Sequence, residues 1–79
     1  MVTVNERLVI VREGTVLLTL NQGEILNMLA NGLRTDDIAK LKGRSPQTIK
    51  NTRDLIIHKM HAKNAAHAVA IALRNKLIK

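Results

Sequence analysis

The sequence predicts a mainly α fold, four helices preceded by an N-terminal β-hairpin. Three observations carry that expectation. Apolar residues form two strand-like runs before Thr19 and recur at helical spacing after it. Helix start and stop signals stand at Thr19, Asn31-Gly32, Thr35, Gly43, Ser45-Pro46 and Asn64. The chain has 79 residues, 46% of them apolar and none aromatic, so its one core must be built from Leu, Ile, Val, Ala and Met. Two units are expected: residues 1–18 as an extended segment or hairpin, and residues 19–79 as a helical domain.

Leu8-Val9-Ile10-Val11 is the first strand run, and Val16, Leu17, Leu18 and Leu20 make the second. Glu13-Gly14 lies between them, and Gly supplies the positive φ of a tight turn. A two-stranded hairpin is marginal alone. It should therefore pack on the helices or pair with a second copy. Thr19 and Gln22 fit a capping box, in which each side chain takes the other's backbone N–H. Ile25, Leu26, Leu29 and Leu33 follow at helical spacing, and Gly32 suits the left-handed position after a helix end. Thr35 is expected to cap a short second helix, with Asp36 and Asp37 in the first turn, where the helix dipole favours anions. Ile38, Ala39 and Leu41 should form its inner side, and Gly43 should end it. Ser45 caps the third helix and Pro46 takes its first position, where no N–H is needed. That helix should reach about His61, and a fourth, capped by Asn64, about Asn75.

The net charge is +7 and the pI about 10.7. Residues 1–18 are neutral, whereas residues 46–79 carry most of the excess, with Asp54 their only acid. A surplus gathered in one half points to a polyanionic partner. Without aromatics there are no base-stacking platforms, which argues against single-strand and stacking RNA readers. Without cysteine there is neither a disulfide nor a thiolate metal site, which fits a reducing compartment. No apolar run is long enough to span a membrane, and no signal peptide is read at the N-terminus. The expected location is the cytoplasm, on the nucleoid.

A short helix, a glycine turn and a longer basic helix make a helix-turn-helix. On a helical wheel Ile49, Ile56 and Met60 share one side of the third helix, flanked by Thr52 and Arg53. Gln47, Lys50, Asn51, Asp54 and His58 take the other. Lys suits guanine, Asn and Gln suit adenine, and Asp accepts from cytosine in the major groove. Ser45, Thr48, Arg53 and Lys59 are candidate phosphate contacts, with the N–H groups of the helix start. An ordinary amphipathic helix with a solvated face has the same pattern, so this helix alone does not decide. The fourth helix is apolar nearly all round, with only His67 polar between Ala65 and Leu73. Ala66, Ala70, Ile71 and Leu73 are its candidate dimer contacts; the alternative is that alanines simply favour helix and tolerate exposure. His58, His61 and His67 lack the carboxylate or thiolate that would complete a zinc set, so no metal and no cofactor is expected. Asp36 and Asp37 do not face each other and make no acid/base pair. No catalytic constellation is present, and no enzyme is expected.

Read together, residues 18–78 resemble the LuxR/GerE-type DNA-binding domain. The resemblance runs through Leu18-Thr19, Ile25-Leu26, Leu29-Ala30, Gly32-Leu33 and Asp37-Ile38-Ala39. It continues in Gly43-Arg44-Ser45-Pro46, Thr48-Ile49-Lys50, Ile56, Lys59-Met60, Asn64, Ala68-Val69, Ala72-Leu73 and Leu77-Ile78. It implies scaffold, positioning, recognition and dimerisation helices, duplex DNA as partner, and transcription control. Carried over by position, Lys50, Asn51 and Asp54 face bases, with Gln47 at the groove edge. Departures stand at Gln22, where glutamate is usual, at Thr52, where histidine is usual, and at Ala65, where arginine is usual. Lys42 replaces a leucine: either the second helix turns to use Leu41, or the Lys42 stem lies along the core with its ammonium in water. Asp54 either reads a cytosine or is merely solvated.

The resulting expectation is a small stand-alone regulator, without a sensing domain, that binds an inverted-repeat duplex site as a homodimer. Its activity would be set by its amount or by a partner protein. The alternative is an interaction module that pairs with a larger regulator of the same type through the fourth helix or the hairpin edge. Leu55 and Ile57 are its exposed apolar candidates. The hairpin lies outside the family pattern, and RNA polymerase is one candidate contact for it. A membrane-surface role is disfavoured, because the charges lie on the reading face rather than opposite a broad apolar one.

Overall fold

The structure is a computed structural model that describes residues 6–11 and 14–75, with side chains from Leu18 onward. Strands β1 (Glu6–Val11) and β2 (Gly14–Thr19) pair antiparallel, with Arg7 opposite Leu18 and Val11 opposite Gly14. Helices α1 (Leu20–Ala30), α2 (Thr35–Lys42), α3 (Pro46–Lys59) and α4 (Ala65–Arg74) follow. The turn residue Glu13 and the terminal Leu77-Ile78 lie outside the described residues. Among the described residues no helix is long and apolar enough to cross a membrane.

Like α3, helix α1 touches β2 and all three other helices. It starts where the sequence says it should. Thr19 Oγ1 accepts the Gln22 N–H and Gln22 Oε1 accepts the Thr19 N–H, both at 3.0 Å. The hairpin runs straight into this box, so β2 packs on α1 and α3, and Leu18 is buried. The core joins Ile25 and Leu26 of α1, Ile38 and Ala39 of α2, Ile49, Ile56 and Met60 on or beside α3, and Ala68, Ile71 and Ala72 of α4.

Two expectations for α2 are corrected. Its N-cap is Arg34, not Thr35, which lies inside the first turn. The Asp37 carboxylate accepts the Arg34 N–H at 3.1 Å, and that bond fixes where the helix begins. Leu41 is not on the inner side; it is 66% exposed, whereas Lys42 is half-buried with its ammonium against Glu24 at 2.6 Å. The reason is angular. At about 100° per residue, Lys42 points between the buried Ile38 and Ala39, and Leu41 falls outside them. The lysine stem fills the leucine's place, and a carboxylate from α1 meets its charged tip.

Three helices end in the same way. The N–H of the residue beyond the end reaches back five positions: Leu33 to Met28, Arg44 to Ala39 and Ala62 to Ile57, at 3.1, 3.0 and 3.0 Å. This closure needs one residue in the left-handed region. After α1 and α2 it is Gly32 (φ 88°) and Gly43 (φ 65°), and after α3 it is His61 (φ 53°). A side chain there costs about 1–2 kcal/mol, partly offset because glycine loses more chain entropy on folding. His61→Gly is therefore expected to stabilise the fold by about 0.5–1 kcal/mol, read as a rise in thermal midpoint of several degrees. A fall would show that His61 makes compensating contacts.

Candidate nucleic-acid interface

Helices α2 and α3 meet at the tight turn of Gly43, and α3 begins on a built cap. Ser45 Oγ accepts the Thr48 N–H at 3.2 Å and shares a 2.9 Å hydrogen bond with Thr48 Oγ1, while Pro46 takes the first helical position. Both hydroxyls are at the exposed helix start, where unsatisfied N–H groups favour anions.

The faces of α3 divide sharply. Ile49, Ile56 and Met60 are each 1% exposed, so rotation of the helix is fixed by the core. Gln47, Lys50, Asn51, Asp54 and His58 are all exposed on the outer side. The two amides are tied: Gln47 Nε2 donates to Asn51 Oδ1 at 2.9 Å. Arg53, half-buried on the flank, lies 3.5 Å from Asp54 Oδ1. A pair this exposed contributes little to stability, but it shields the charge of Asp54 on a face otherwise suited to an anion. Thr52 turns its hydroxyl proton back to the Thr48 carbonyl at 3.0 Å.

The four candidate phosphate residues do not share one environment. Ser45 and Thr48 sit together at the helix start, and Arg53 lines an open groove between α3 and the head of α4. Lys59 is drawn elsewhere. It is half-buried, and its Nζ donates to Gln22 Oε1 at 3.0 Å, the same oxygen that caps α1. Its primary partner is therefore a core amide, and the structure gives it a role in joining α3 to α1. The groove also holds Asp54, Ile57, Asn64, Ala65 and Lys63. Lys63 was not among the sequence candidates. The signal available was a cation directly before the Asn64 cap, set beside Arg53 only by the fold.

Helix α4 starts from Asn64, whose Oδ1 accepts the His67 N–H at 2.8 Å, while His67 Nδ1 accepts the Lys63 N–H at 2.9 Å. Ala66, Ala70 and Leu73 form one exposed stripe, with Leu73 49% exposed. Ile71 is a correction: at 1% exposure it belongs to the monomer core on the far side of the helix and has no surface for a partner. Leu55 is 44% exposed, whereas Ile57 is half-buried and packed against the core. Among the described residues no three histidine or carboxylate side chains gather as a metal set.

The chain matches the family model of the bacterial regulatory proteins of the luxR family over residues 12–72. It is 35% identical over 60 residues to the uncharacterized transcriptional regulatory protein YxjL of Bacillus subtilis (strain 168), which spans 76% of this chain and 28% of that protein. The chain thus covers little more than a quarter of that relative's length. The transcription factor GerE superposes with a TM-score of 0.75 at 26% identity, over 78% of this chain and 92% of GerE. VqmA of Vibrio cholera, solved in a complex with ligand and DNA, superposes with a TM-score of 0.69 at 27% identity, over 73% of this chain and 26% of VqmA. The exposed helix face, the glycine turn before it and these similarities lead to one assignment: the chain belongs to the luxR family of bacterial regulatory proteins, DNA-binding helix-turn-helix transcription regulators rather than enzymes.

Proposed function

We propose that the chain binds a specific duplex sequence as a homodimer, each copy laying α3 in the major groove of one half of an inverted repeat. The observation that carries this reading is the division of α3. Its inner face is locked in the core, and Gln47, Lys50, Asn51 and Asp54 stand exposed on the other. Ser45, Thr48, Arg53 and Lys63 surround that face and suit phosphates on either side of the groove. The exposed stripe of Ala66, Ala70 and Leu73 supplies the contact between copies, and small side chains allow close approach. The two α3 helices then lie about 34 Å apart, one turn of DNA. A larger luxR-type regulator docking on the same stripe is the competing occupant.

Selection of bound duplexes from a random pool tests this. The expected outcome is a symmetric site with half-site centres about 10 base pairs apart; an asymmetric or absent consensus sinks the reading. Binding to random duplex is expected to fall on the order of a thousandfold between 50 and 200 mM salt if about six phosphates are neutralised. Lys50→Ala should weaken the selected site by about 1–3 kcal/mol and relax preference at one base pair. Arg53→Ala should weaken selected and random duplexes alike. Equal losses on both DNAs for Lys50→Ala would remove it from the reading role.

A further inference from the structure

Gln47 and Asn51 are one turn apart on the exposed face of α3, and their amides are joined by a 2.9 Å hydrogen bond. The direction of that bond matters. An asparagine reads adenine with both ends of its amide, the oxygen accepting from N6 and the nitrogen donating to N7. An unsupported exposed amide rotates freely and presents either end with nearly equal ease, so ordering it on DNA costs rotamer freedom. Here the Gln47 N–H holds the Asn51 oxygen on one of its two lone pairs. The other lone pair and both N–H groups of Asn51 remain available. The amide is thus biased toward one polarity before DNA arrives.

We infer that Asn51 reads an adenine and that Gln47 is a positioning residue that acts through it rather than a base reader of its own. The inference rests on the proposed placement of α3 in the major groove. It divides roles between two residues that sequence chemistry treats as equivalents. Gln47 sits in the first turn of α3, and its side chain runs along the helix to Asn51. The other groups around this face have their own bonds: the Ser45 and Thr48 hydroxyls hold each other, and Thr52 is turned to the backbone. The Gln47 bond, by contrast, ends on the amide of a base-facing residue.

The test is a double-mutant cycle on the selected duplex and on the same duplex with the contacted adenine exchanged for guanine. Gln47→Met keeps the length and removes the donor, and both positions are exposed, so the fold should persist; thermal unfolding checks that. Wild type should prefer adenine by about 10- to 100-fold. Asn51→Ala should abolish that preference, and Gln47→Met should reduce it by about 1.5- to 2-fold, the worth of an exposed amide pair four residues apart on a helix. The double variant should match Asn51→Ala, because Gln47 has nothing left to hold. Additive losses, or a Gln47→Met effect at a different base pair, overturn the inference while leaving the DNA-binding reading intact. Wild type that enriches no sequence overturns both.

Discussion

Leu26→Ala is expected to cost about 2–5 kcal/mol, the range for removing a large aliphatic side chain from a closed core. Leu26 is fully buried in α1, which like α3 touches every other helix and β2. A core in a chain this short supplies a net stability of only about 3–5 kcal/mol. The substitution should therefore lower the thermal midpoint by at least about 10 °C and leave a large unfolded fraction at 37 °C. DNA affinity should fall with the folded fraction and recover on cooling, which separates it from a contact mutation. Leu41→Ala is the matched control. The same chemical change at a 66% exposed position should stay within about 0.5 kcal/mol of wild type. A Leu26→Ala midpoint indistinguishable from that control would show that Leu26 of α1 does not anchor the core.

What the residues disclosed unaided was local. The Thr19–Gln22 box and the Ser45 and Asn64 caps were legible because each is a bond between neighbours in sequence, set by residue type and spacing. So was the buried stripe of α3, since Ile49, Ile56 and Met60 repeat at helical spacing and leave no other rotation. Thr35 misled because it is a better cap than Arg34 by type; the deciding bond is the Asp37 carboxylate on the Arg34 N–H, which any residue at 34 can donate. Leu41 and Lys42 were open alternatives for the same inner position, because residue type favours the leucine and helix angle the lysine. Helical geometry alone puts Lys42 between Ile38 and Ala39, where its stem lies along the core while Glu24 on α1 meets its ammonium.

The candidate site divides along the same line. The exposure of Gln47, Lys50, Asn51 and Asp54 follows from the pattern of one helix. The fates of Lys59 and Ile71 do not. Lys59 is held by Gln22, 37 residues earlier, and nothing short of the packed α1–α3 contact reveals that bond. Ile71 was indistinguishable from its neighbours because α4 is apolar nearly all round, so periodicity gave it no preferred side. Tertiary packing chose Ala68, Ile71 and Ala72 for the core and left Ala66, Ala70 and Leu73 outside.

That outward stripe makes Leu73→Asp the variant with the largest expected effect on DNA binding. In a symmetric pair the substituted residue enters twice, so each interface would bury two carboxylates among alanines. Charges of one sign removed from water without partners cost several kcal/mol, more than a contact of this size can offset. The folded monomer should be spared, because Leu73 is half in solvent while the inner side of α4 is untouched. Light scattering should then report a monomer of unchanged thermal midpoint. Linking two half-site contacts raises affinity for the full repeat by about 10²–10⁴-fold over one contact. Leu73→Asp should lose that factor on the complete inverted repeat and lose nothing on a single half-site. Full affinity on the repeat, with two copies still bound, would mean that the copies meet elsewhere, and the hairpin would become the surface to test.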